Sequence, residues 1–174
     1  IVTIIWKMMY MPGNGAIAGV MRYFGWEPLD FITSATLALP AIAVTTVWWI
    51  IGLPMMLFLA ALQQIPGELY EAAALDNASR RRSFWSITLP SIRRTMLVVV
   101  IYEIVAQFQL FGQAWLLTKG GPNNASRPIV LFIYEQGFRS WNLGYAAAAS
   151  EVLFLIMAIA AVAQFFASRK RVEG

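Results

Sequence analysis

The sequence predicts an all-α fold, a polytopic bundle of membrane-crossing helices, on three observations. Only 13% of the 174 residues are charged while 59% are hydrophobic, against roughly 25% charged in soluble domains. Three long runs hold almost no charge: residues 31–67 hold none, 95–118 hold only Glu103, and 143–168 hold only Glu151. Basic residues gather at the edges of those runs, as RRR at 80–82, RR at 93–94 and RKR at 169–171. Each run exceeds the roughly 20 apolar residues that a spanning helix needs. An unusually apolar soluble helical domain would share the composition, and the run lengths decide against it.

The elements follow in order. Ile1 opens inside an apolar run, IVTIIW, with no basic stretch before it. A signal peptide is therefore not expected, and the chain reads as the later part of a longer protein. Residues 11–15 (MPGNG) are a turn cluster. Residues 7–39 read as a surface segment with one or two short helices. Trp6, Tyr10, Tyr23, Phe24 and Trp26 suit an aromatic belt at a membrane interface. The first complete span is 41–62, with Pro54 expected to kink or loosen it. A polar loop, 67–90, follows. The second span is 95–117. Residues 118–128 (TKGGPNNASRP) are loop by composition, and 129–139 is amphipathic and too short to cross. The third span, 144–167, is rich in small residues that let helices approach closely. Arg169, Lys170 and Arg171 are expected to stop it.

Within 67–90, Glu68 and Glu71 come just after Pro66 and Gly67, where the positive end of a helix dipole favours acids. Asn77 tolerates the left-handed conformation and is the expected break. Ser79 is then the cap of a second short helix running through Phe84 and Ile87. Leu89 and Pro90 are expected to end it, with Pro90 free to open the next helix. Orientation follows from the basic residues. Arg80, Arg81, Arg82, Arg93, Arg94 and the basic tail fall on one side; Lys7, Arg22, Lys119, Arg127 and Arg139 are spread more thinly on the other. The excess marks the cytoplasmic side, so the loop 67–90 and the C-terminus are expected there and 118–142 outside.

The chemistry is defined largely by what is missing. The sequence has no histidine and no cysteine, which removes the commonest acid–base group and every thiolate or disulfide site. No GxxxxGK[ST], GxGxxG, GxSxG or HExxH pattern occurs. An enzyme would have to rest on isolated carboxylates, so none is expected. The net charge of +4, gathered at membrane edges, reads as topology rather than nucleic-acid binding. Glu103 and Glu151 lie within spans, where an acid either faces a polar pathway or holds helices together. Gln107 follows Glu103 by one turn and shares its face. Tyr102, Phe108 and Phe111 can stack on a sugar ring and can equally pack. The candidate pathway residues are Glu103, Gln107, Phe108, Phe111 and Glu151.

The stretch 71–90, EAAALDNASRRRSFWSITLP, resembles the EAA signature of permease subunits of binding-protein-dependent ABC importers. Glu71, Ala72, Ala73, Asp76, Ala78, Phe84, Ile87, Leu89 and Pro90 carry the match. Asn77 stands where the family usually has glycine, and asparagine is the next best residue for a left-handed turn. LTKGGP at 117–122 and YEQGF…GYAAAAS over 134–150 resemble the carbohydrate-importing branch, the maltose and glycerol-phosphate permease type. The resemblance implies one permease domain over 1–174 with the MetI-like fold. It implies a cytoplasmic coupling helix that sits in a cleft of an ATP-binding subunit, a second permease subunit, and an extracytoplasmic solute-binding protein. ATP would be bound by the partner and no cofactor by this chain, in a bacterial inner membrane. Glu71 would carry a charged contact, Ala72 and Ala73 would permit close approach, and Asp76, Asn77 and Ala78 would complete the coupling site. On the residues alone, a membrane scaffold that recruits a cytoplasmic partner stays open, as does a channel or secondary transporter working without ATP.

Overall fold

The computed structural model describes residues 1–169, with side chains described through Gln164. The described residues form helices and turns with no strand. The chain divides into two compact units. One comprises residues 1–49 with 105–162, the other residues 50–104 with 163–169.

The first unit holds α1 (Val2–Met9), α2 (Ala16–Tyr23), α3 (Ala38–Ile50), α9 (Gly112–Leu117), α10 (Ile129–Tyr134), a π-turn (Glu135–Arg139) and most of α11 (Leu143–Arg169). Its core is Tyr10, Ala41, Ile42, Ala114, Leu117 and Leu131, with Ile17, Phe31, Leu110, Phe111 and Tyr134 packed against it. Alanines at 41 and 114 leave no side-chain bulk between backbones, which is how helices close on one another without a large apolar core. Gly15 is needed at the turn before α2, because a Cβ there would stand inside van der Waals contact of the Met9 and Met11 carbonyl oxygens. Tyr10 departs from the expected aromatic belt. It is only 4% exposed, and its hydroxyl donates to the Ala41 carbonyl at 3.2 Å. That carbonyl also accepts from Thr45 Oγ1 at 3.0 Å. A buried phenol needs a partner, and the partner holds Tyr10 inside. Tyr23, Phe24 and Trp26 are exposed, and Trp6, also assigned to the belt, is half-buried against the core.

The loop 118–128 is ordered by two hydroxyls. Ser126, 1% exposed, donates to the Gly121 carbonyl at 2.6 Å. It also meets Thr118 Oγ1 at 2.7 Å. Thr118 Oγ1 in turn accepts from the Gly120 N–H at 3.2 Å. Near the end of the loop, Arg127 pairs with Glu135 and lies 4.8 Å from the centre of the Phe132 ring.

The second unit holds α4 (Gly52–Gln63), α5 (Gly67–Leu75), α6 (Arg80–Ser83), a π-turn (Phe84–Thr88), α7 (Leu89–Ser91) and most of α8 (Arg93–Phe108). The run read as 41–62 is broken at Ile51, three residues before Pro54. Proline cannot donate to the Ile50 carbonyl, and in the first turn of α4 its missing N–H is harmless. The run read as 95–117 is not one helix: α8 ends at Phe108 and α9 begins at Gly112. Glycine weakens the helix there, and Leu110 and Phe111 turn into the core of the first unit. The third run is continuous, and Leu143–Gln164 is long and apolar enough to cross a membrane, with a mean hydropathy of 2.2. The pair α3 and α4 meets the same test if taken as one broken span. Lys170 and Arg171, expected to end the last helix, lie outside the described residues.

Candidate functional site

The residues expected to couple come together on one helical hairpin. Glu68 lies in the first turn of α5, where the dipole favours it; Glu71 falls one position past that turn. Pro66 precedes the helix in an extended conformation and fixes its start. The helix ends in a Schellman motif. The Asn77 N–H donates to the Ala74 carbonyl at 3.1 Å and the Ala78 N–H to the Ala73 carbonyl at 2.9 Å. That geometry requires a left-handed residue between them, and Asn77 supplies it with φ 52°. Ser79 then caps α6, its hydroxyl accepting from the Arg82 N–H at 3.3 Å. The expected break at Asn77 and the expected cap at Ser79 therefore both hold. The expected end at Leu89–Pro90 does not, because the chain stays helical through the π-turn and α7 to Ser91. Proline sits within the first turn of α7, where no donor is lost.

Glu71, Ala72, Asp76 and Asn77 are exposed, while Ala73 and Ala78 are half-buried. The hairpin thus presents one carboxylate, a bare methyl face and a second carboxylate at its tip. Leu75, 85% exposed, stands beside them. A surface of this kind can carry a charged contact and lie flush against a partner. Among the described residues no cluster of three or more acidic, histidine or cysteine side chains could hold a metal. Sequence reasoning missed a further link: Tyr70 and Thr88 hydroxyls meet at 2.8 Å across the hairpin. Their separation of 18 positions matches no local pattern, so the sequence carries no signal for the pair.

The pathway candidates are distributed. Glu103, half-buried, and Gln107 and Phe108, exposed, lie on the C-terminal half of α8. Phe111 stacks on Trp115 with ring centres 6.3 Å apart and meets Tyr134 edge-on at 5.2 Å. Its surroundings are therefore an aromatic cluster. Glu151 is exposed on α11.

The family described as binding-protein-dependent transport system inner membrane component matches residues 2–172. The multiple sugar-binding transport system permease protein MsmF of Streptococcus mutans serotype c is 34% identical over 169 residues, covering 97% of this chain and 58% of its own. The diacetylchitobiose uptake system permease protein NgcF of Streptomyces coelicolor is 35% identical, with coverages of 97% and 49%. The sn-glycerol-3-phosphate transport system permease protein UgpA of Agrobacterium fabrum is 35% identical, with coverages of 97% and 58%. The chain thus spans 49% to 58% of the length of these relatives. In structure it superposes on a crystal structure of a bacterial ABC transporter involved in the import of the acidic polysaccharide alginate. The TM-score is 0.87 at 23% identity, over 97% of this chain and 59% of that one. That likeness establishes the shared all-α permease fold.

Proposed function

The chain belongs to the family of binding-protein-dependent transport system inner membrane components, and from that premise we propose that it helps form the solute pathway of an ATP-driven sugar importer. It couples to a separate cytoplasmic ATPase through α5 and the turn at Asn77. The single observation that carries the coupling role is the exposed Glu71–Ala72 face ending in the Asn77 turn, built from the residues of the signature. Glu71 supplies a charged contact, Ala72 and Ala73 allow close approach, and Asp76, Asn77 and Ala78 shape the tip.

The chain itself is not an enzyme in this reading, and ATP is bound by the partner. A second permease subunit and an extracytoplasmic solute-binding protein complete the assembly. A sugar or sugar-like solute is supported by what the relatives are named for. The solute passes Glu103, Gln107 and Phe108 on α8 and Glu151 on α11, with Phe111 supporting them through its aromatic packing. The loop 67–90 and the C-terminus face the cytoplasm, on the side with the arginine excess.

The test is ATP-dependent solute uptake in vesicles holding the complete importer, with Glu71→Lys compared to wild type. Reversing the charge at the contact is expected to abolish uptake and to release the ATPase on purification. Normal uptake by that variant would sink the coupling role.

A further inference from the structure

We infer that the Tyr70–Thr88 hydrogen bond is a transmission strut, making α5 and the start of α8 move as one body; this rests on the coupling role proposed above. The hairpin is closed covalently at one end by the turn at 76–79. At the other end it is closed by the two hydroxyls, 2.8 Å apart. Between the ends the two arms are separated along part of their length. They leave an open cleft of about 380 Å³, with Ala74, Ala78, Ser83 and Phe84 on its walls. The chain from α4 tethers the far end of α5 through residues 64–66, and the exposed hydroxyl pair ties that end of α5 to the second arm of the hairpin.

Thr88 is placed for this by the π-turn. The Leu89 N–H donates to the Phe84 carbonyl, five residues back. The extra residue shifts the angular register of the side chains that follow by about 100° about the helix axis. From Thr88 the backbone runs directly into α8. The Ile92 N–H donates to the Thr88 carbonyl at 3.2 Å, and the Met96 N–H to the Ile92 carbonyl at 2.9 Å. Ile92 is 9% exposed and anchors that junction. A push on Glu71 therefore reaches α8 by two routes, the Asn77 turn and the strut. Only the two together transmit rotation of α5. Tyr70 and Thr88 are positioning residues in this scheme.

The protein has no cysteine, so spin labels can be placed at Glu68→Cys and Arg94→Cys, both exposed, with the cysteines of other subunits replaced. Glu68 lies at the end of α5 far from Asn77, where a swing is largest. The distance is measured in the complete importer, free of nucleotide and trapped with ADP and vanadate. In the wild type we expect one narrow distance, unchanged by trapping. Tyr70→Phe and Thr88→Val should each raise the unclamped population about fivefold, the weight of one neutral hydrogen bond. Trapping should then shift the distance. Thr88→Ser, which keeps the hydroxyl, should behave as wild type, and the double variant should be no worse than either single one. A single narrow distance in Tyr70→Phe and Thr88→Val overturns the strut, as does a wild-type distance that changes on trapping. An ATPase that fails to bind even the wild type overturns the coupling role instead. The distance widths without nucleotide still decide the strut in that case.

Discussion

Asn77 holds φ at 52°, a conformation that costs an ordinary L-residue about 1–2 kcal/mol and asparagine less. The Schellman pair depends on it, because the Ala78 N–H reaches the Ala73 carbonyl only across a left-handed residue. Asn77→Gly should leave the turn intact and change stability by no more than about 0.5 kcal/mol, since the relief of strain is offset by the freer unfolded chain. Asn77→Val should cost at least ~1–2 kcal/mol, because a branched side chain at positive φ is a true outlier. Amide exchange at Ala78 in the purified protein measures this directly. Protection should fall about tenfold or more for valine and hold for glycine. Equal protection in all three would mean that the turn is fixed from elsewhere. This residue was legible in the sequence because asparagine between a helix and a capping serine has few other uses. Tyr10 was not: an aromatic residue near an apolar run looks the same whether it faces lipid or a carbonyl oxygen 31 positions away.

At the scale of elements, runs of composition and helices are different objects. In the apolar run 95–117 Gly112 is a weak local hint of the break; what decides where α8 ends is the packing of Leu110 and Phe111 on the core cluster of the first unit. Those partners are distant in sequence, and tertiary contact overrides local propensity. The run 143–168 was legible because nothing pulls its middle aside, and α11 is continuous from Leu143. The loop 118–128 was correctly read as loop, yet its order was hidden. Its stability rests on one buried serine, whose hydroxyl serves the Gly121 carbonyl and Thr118 together. Removing that hydroxyl leaves the part-buried Gly121 carbonyl without its side-chain donor while Thr118 keeps Ala114 and Gly120, at about 1 kcal/mol. Ser126→Ala should therefore lower the melting temperature in detergent and make 118–128 the first site of limited proteolysis. A variant with wild-type melting and an uncut loop would show that the pair contributes nothing.

For the whole molecule, topology links the hairpin to the ordered loop. The arginines at 80–82 and 93–94 flank the hairpin, whereas Lys119, Arg127 and Arg139 are scattered through 118–142. Arg127 is moreover paired with Glu135. The bias that sets orientation therefore comes chiefly from the hairpin side. These 174 residues hold no cysteine, so single cysteines placed in them report the arrangement once any others in the assembly are replaced. Leu75→Cys, at a position 85% exposed, should react in intact cells only with a membrane-permeant maleimide. Its reaction in inverted vesicles should be slowed when the ATPase is bound. Asn124→Cys, on the exposed rim of the ordered loop, should react from the outside with an impermeant reagent. Reaction of Leu75→Cys with the impermeant reagent in intact cells would reverse the proposed placement of the hairpin in the cytoplasm. It would also remove the physical basis for coupling there, since Glu71 would then face the compartment that holds no ATP.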